Sequence, residues 1–143
     1  MKLVTQTAKG ECGPACLAMV LEETLTDVML DFPDCARDGV SDAEMVEYLA
    51  KHGVAALSSV TWPCRRCVSQ GDSYARVPGI ATVPSLNHPG LLHFIVWDGE
   101  TWLDPSPGPR CYPEDAPTIR GERTVSWSSV LLLWLPDQPI EGA

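Results

Sequence analysis

The sequence predicts a single α+β domain over residues 1–143, with N-terminal helices packed on a C-terminal antiparallel sheet, and three observations carry that expectation. Up to Gly53 the apolar residues recur at helical spacing between capping signals. From Val54 onward they fall instead into short β-type runs broken by Pro, Gly, Ser and Asp. Helices first and strands afterwards, without βαβ alternation, is the α+β order. A length of 143 residues suits one domain with one sizeable core, and no internal repeat or linker divides the chain. Residues 136–143 read as a flexible tail.

Lys2 to Thr5 reads as extended, followed by a helix over Gly13 to Glu23. Pro14 sits in the first turn, where its missing N–H costs nothing. Cys16, Leu17, Val20 and Leu21 then recur at helical spacing and should face the core. A short helix is expected from Thr26 to Phe32, stopped by Pro33. The third starts at a capping box formed by Ser41 and Glu44, carries Met45 and Leu49 on its apolar stripe, and ends at Gly53. The β-type runs are VAALSSV, GIATV, LHFIVW, TWLD and VLLLWL. Thr61 to Pro78 carries no readable pattern, and Pro105 to Pro117 reads as a Pro-rich loop.

Composition narrows the function. The apolar fraction of 45% and the charged fraction of 20% are those of an ordinary globular protein, so disorder is excluded as the default. A net charge of −9 argues against nucleic-acid binding, which needs clustered Lys and Arg to displace counterions, and Arg65-Arg66 is the only tight basic pair. The longest apolar run, Val130 to Leu135, is far short of the ~20 residues of a membrane helix, so no membrane span is expected. The N-terminus has neither an apolar h-region nor a small-residue cleavage site, which points to a cytoplasmic protein. In that compartment the six cysteines should be mostly reduced thiols, which directs attention to catalysis or metal binding.

Cys12 lies at the start of the first helix. Unpaired N–H groups and the positive end of the helix dipole favour a thiolate there, and Gly13 removes bulk beside the sulfur where a substrate carbonyl would approach. A structural cysteine packed under the helix would look the same at this position alone; Cys16, one turn further in, fits that role better. The candidate general bases are His52, His88 and His93. His52 belongs to the last turn of the third helix, where a cation suits the dipole, and His88 lies in the Asn87-His88-Pro89-Gly90 loop.

His93 opens the run HFIVW, and Asp98-Gly99 signals a two-residue hairpin turn after it. With those two residues as the loop, Trp97 pairs with Glu100, and counting back sets His93 opposite Asp104. Directly opposed Cβ atoms are ~4.5–5.5 Å apart, within reach of an imidazole–carboxylate hydrogen bond. An exposed ion pair across a hairpin would give the same register without catalysis. Cys12 upstream tips the balance, because a thiol, then a base, then its orienting carboxylate is the chain order of papain-like enzymes. A developing oxyanion needs N–H donors, and the Cys12 backbone with Gln6, the only upstream Gln or Asn, are the candidates.

The segment QTAKGECGPACLAMVL, residues 6–21, resembles the opening of the bacteriocin-processing, double-glycine-leader peptidases of the papain-like cysteine peptidase clan, including the Gln-to-Cys spacing. DGVSDAEMVEYLAKHGV is similar to that family's middle helical segment, PGIATV to the strand before its site, HFIVWDGETWLDPSPG to its His strand and Asp-Pro motif, and WSSVLLLWLP to its closing strand. The resemblance covers nearly the whole chain. It implies a papain-like fold, with Gln6 in the oxyanion hole, Cys12 as nucleophile, His93 as general base and Asp104 as its orienter. In transporter-linked members membrane helices and an ATPase follow the peptidase; this sequence carries neither, so a freestanding member is expected and cleavage after Gly-Gly stays open.

The expected function is a cysteine peptidase or thiol hydrolase that cleaves a peptide or isopeptide bond in a peptide or protein substrate. The same residues would serve an amidase, deamidase or transpeptidase, because thiol acyl chemistry does not dictate the acceptor, and a peptide-binding module without catalysis would keep the fold. Cys64-Arg-Arg-Cys67 has metal-ligand spacing and could recruit Cys35 or Cys111. Without a second closely spaced pair it reads more readily as a redox or structural pair, and no cofactor is expected.

Overall fold

The structure is a computed structural model, described at residues 1–59, 77–85, 88, 90–107, 111–113, 123–125 and 129–135. Among the described residues four helices come first: α1 (Cys12–Leu21), α2 (Leu25–Met29), α3 (Cys35–Asp38) and α4 (Asp42–Lys51). The strands follow: β1 (Ala55–Ser59), β2 (Gly79–Pro84), β3 (Leu92–Trp97), β4 (Trp102–Leu103), β5 (Cys111–Pro113), β6 (Arg123–Val125) and β7 (Ser129–Trp134).

Helix α1 is apolar on every side, and Gly13 through Val20 are all buried. A helix of that kind belongs inside a fold rather than on it. It packs on β3 and is flanked by α2 and α4. It ends one turn after Ala18, whose carbonyl accepts the Glu22 and Glu23 N–H groups, with Glu22 in the left-handed conformation at φ 56°. Thr24 then caps α2 by accepting the Asp27 N–H at 3.1 Å, so this helix begins at Leu25, one residue before the expected start, and is complete by Met29. The four-residue α3 lies where no helix is expected, because one turn leaves no periodicity to detect.

The capping box of α4 forms as its sequence implies. Ser41 Oγ accepts the Glu44 N–H, and the Glu44 carboxylate accepts the Ser41 N–H, both at 3.2 Å. Met45, Tyr48 and Leu49 are the buried residues of α4. Ser41→Ala should lower unfolding stability by about 1 kcal/mol, read as a drop in the urea midpoint at unchanged slope.

Five strands form one antiparallel sheet in the order β1-β7-β2-β3-β4, and β5 and β6 form a separate parallel pair. The segment from Pro105 to Pro117, expected to be loop, therefore contains β5. Alternation divides the sheet residues between two apolar clusters. Ile80, Phe94, Val96, Leu131 and Leu133 meet the helices, while Ala81, Val83, Ile95, Trp97, Trp102, Val130 and Leu132 form a second buried cluster. Burial on both faces explains why HFIVW and VLLLW read as continuous apolar runs. The unpatterned residues 61–76 and the tail 136–143 lie outside the described residues.

The β3–β4 hairpin differs from its expected register. Trp97 pairs with Trp102 and Val96 with Leu103, so four residues, not two, form the loop. The Asp98 carboxylate is responsible: its Oδ1 accepts the Glu100 and Thr101 N–H groups, both at 2.8 Å. This Asx turn competes with the two-residue turn and wins. The slip is two residues, and because side chains alternate with period two, each residue keeps its face. Trp97 and Trp102 thus meet across the pair, with ring centroids 5.2 Å apart and planes inclined at 47°.

Candidate active site

The site lies where α1 meets β3. Cys12 is the first residue of α1, half-buried, and lines a cleft of about 560 Å³ together with Gln6, Gly10, Cys35, Val40, Thr82 and His93. Exposed Leu91 and Leu92 stand at its edge. Gly13, expected to clear space for substrate, has a different role: a Cβ there would meet the Val40 Cβ at 3.0 Å, so its lack of a side chain lets α1 pack against residue 40. A second hollow of about 410 Å³, lined by Asp31, Phe32, Tyr48, Lys51 and His52 among others, has no cysteine in its lining.

His93 is buried, and its Nε2–H donates to Asp104 Oδ1 at 2.6 Å. A carboxylate only accepts, which fixes the proton on Nε2 and leaves Nδ1 as the ring nitrogen for exchange with a thiol. The Asp104 side chain is fully buried, and the same Oδ1 accepts the Ser106 N–H at 2.8 Å. Although β4 ends at Leu103 and His93 is not opposite Asp104 in the ladder, the two-residue slip keeps them on one face, and their side chains meet there across the diagonal. Burial on its own would discharge the imidazole. Hydrogen bonding to Asp104, then to Cys12, and the negative charge of both groups outweigh it and raise His93 to about 9.

The other candidates are placed elsewhere in role. His52 Nδ1–H donates to the Tyr48 carbonyl at 2.8 Å, and Nε2 lies 3.8 Å from Glu23, so it closes α4. His88 is exposed on the cleft edge, its backbone N–H bound to Ser85 Oγ at 3.0 Å. Cys16 is fully buried, and that burial pushes its thiol well up, with the nearby charges of Cys12 and Asp104 acting in the same direction. It serves the core.

Gln6 is buried beside the cleft. Its backbone N–H donates to the Pro105 carbonyl at 2.8 Å, and its side-chain Nε2 donates to the Ala8 carbonyl at 3.0 Å. Two further contributors were not apparent from the sequence. Glu11, 4% exposed, binds back to residues 7 and 8, and Ser106 supports Asp104 through its backbone. The only trace of Glu11 in the sequence is a charged residue directly before the nucleophile. Cys64 and Cys67, the weak metal candidates, and Arg65-Arg66 lie outside the described residues. Among the described residues no group of three or more His, Cys, Asp or Glu is placed to hold a metal, and no helix is long and apolar enough to cross a membrane.

Helices packed on a five-stranded antiparallel sheet are the fold of papain-like peptidase domains. Two solved structures share it. One is a double-glycine-motif protease from an AMS/PCAT transporter in complex with the leader peptide, with TM-score 0.61 and 22% identity over 92% of this chain and 89% of that one. The other is the peptidase domain of Streptococcus ComA, a bifunctional ABC transporter of a quorum-sensing pathway, with TM-score 0.64 and 20% identity over 92% of this chain and 96% of that one. No protein-family model and no curated sequence matches the chain.

Proposed function

We propose that the chain is a cysteine peptidase of the double-glycine-leader type, in which Cys12, His93, Asp104 and Gln6 act together. The observation that carries this reading is the buried His93, bound through Nε2 to Asp104 and paired with Cys12 at the start of α1. Two peptidase domains of the same fold, one holding a leader peptide, support a peptide as the substrate.

In this mechanism the Cys12 thiolate attacks the scissile carbonyl, and the Cys12 and Gln6 N–H groups receive the oxyanion. The His93 imidazolium gives its proton to the leaving amine, which departs and leaves a thioester on Cys12. Neutral His93 then takes a proton from water as the water attacks the thioester, and collapse of the adduct releases the acid and restores the Cys12 thiolate beside the His93 imidazolium. Asp104 holds the ring in the tautomer both steps use. We place this chemistry in a reducing cytoplasm, which suits the free thiols of Cys12, Cys16 and Cys35.

An electrophilic thiol probe tests the assignment. At neutral pH, with the modified positions mapped by peptide mass spectrometry, it should modify Cys12 of the native protein faster than any other of the six cysteines; burial shields Cys16 and Cys35. Modification of Cys12 no faster than that of the other cysteines would refute the assignment.

A further inference from the structure

The residue before the nucleophile is a buried acid with no part in the mechanism above. Glu11 is 4% exposed, and one oxygen of its carboxylate, Oε1, accepts three donors: the Thr7 N–H at 2.8 Å, the Thr7 Oγ–H at 2.8 Å and the Ala8 N–H at 3.2 Å. Among the described residues it forms no ion pair. A buried carboxylate without a cation costs free energy unless hydrogen bonds replace its water. Three converging donors do so here, and charge-assisted bonds are among the stronger ones. An anion one residue from a nucleophilic sulfur has no electrostatic benefit for attack. Its effect is on the shape of the loop.

That loop carries Gln6. The Ala8 N–H is held by Glu11, while the Ala8 carbonyl accepts the Gln6 side-chain amide at 3.0 Å. Glu11 therefore fixes the residue that in turn fixes the Gln6 carboxamide. With one Nε2–H on Ala8, the second remains for a ligand, and among the described residues the buried Gln6 Oε1 has no hydrogen-bond partner. The amide is oriented by its nitrogen end alone, so displacing Ala8 would leave it without a fixed direction.

We infer that Glu11 is a positioning residue for the oxyanion hole, aligning the Gln6 amide through Ala8. This rests on the reading of Gln6 as an oxyanion donor. Two probes of Cys12 separate alignment from thiol reactivity. Acylation by p-nitrophenyl acetate passes through a tetrahedral oxyanion; alkylation by iodoacetamide does not.

Glu11→Ala should slow acylation by roughly 10-fold or more, short of the ~10²–10³-fold loss of a whole donor, while alkylation stays within about twofold of the native rate. Glu11→Gln, which keeps the accepting oxygen, should recover most of the acylation rate. The double variant Glu11→Ala/Gln6→Ala should be no slower than Gln6→Ala alone, because Glu11 acts through Gln6. Native acylation in folded Glu11→Ala, or losses that multiply in the double variant, would overturn the inference. If Glu11→Ala does not fold, Thr7→Val carries the test by removing one of the three donors. It should slow acylation several-fold and spare alkylation, and an unchanged acylation rate would count against the inference. Both reactions are read at residue 12 by peptide mass spectrometry, and a native protein in which Cys12 is not acylated would instead defeat the proposed function itself.

Discussion

Replacing His93 with alanine should lower peptide turnover by roughly 10²–10⁴-fold at neutral pH, the usual contribution of a positioned acid–base group. The loss should fall on kcat, since the ring acts on the reacting atoms. Protonation of His93 also sets the pH response. The leaving amine needs the imidazolium, and His93 is raised to about 9, so native kcat/KM should fall along an alkaline limb near pH 9. A limb near the ordinary histidine value of about 6.5 would contradict the Asp104 and Cys12 environment described above.

The same shift acts on stability. A folded-state value above the unfolded one means that the protonated ring stabilises the fold. That contribution is fully present below about 6.5 and is lost as pH rises through about 9. Urea unfolding of native protein and His93→Ala across pH 6 to 10 should accordingly show the native protein losing more stability with rising pH.

Gly10→Ala should have the largest effect on folding. Gly10 has φ +87°, and a Cβ there would lie 2.2 Å from the Cys35 carbonyl oxygen and 3.0 Å from the Ala36 Cα. Both obstacles are backbone, so no rotamer change relieves them. Left-handed strain alone costs about 1–2 kcal/mol, and the collision should bring the total above about 3 kcal/mol. Gly53→Ala separates the two terms: its φ is +82°, and nothing lies within 4 Å of the added Cβ. It should cost only the strain, about 1–2 kcal/mol. Equal urea midpoints for the two variants would mean that the loop can move away from Cys35, and the packing argument would fail.

The parts of the site legible in the sequence were those fixed by local rules. Cys12 followed from Pro14 and the apolar run behind it, which place a helix start. The His93–Asp104 pair followed from alternation, which survived an incorrect turn: Asp98 closed a four-residue loop with its carboxylate, and the two-residue slip preserved parity. What local rules miss is contact between distant segments. Gly13 was assigned to substrate clearance, but Val40 fills the space beside it. Nothing in the sequence neighbours of Glu11 shows that Thr7 and Ala8 fold back onto it. The turn of α3 is too short to have a period.

The link from Gln6 to Pro105 has a consequence for how the site responds to disturbance. Asp104 sets the imidazole through its side chain, and the next residue along, Pro105, anchors the Gln6 backbone through its carbonyl. The ring of Pro105 restricts both its own φ and the conformation of Asp104, so the two anchors move little relative to each other. The proton-transfer group and the backbone of Gln6 are thus anchored on one stiff dipeptide. Small displacements of the 104–106 segment would carry both along together, so misalignment in one should be correlated with misalignment in the other.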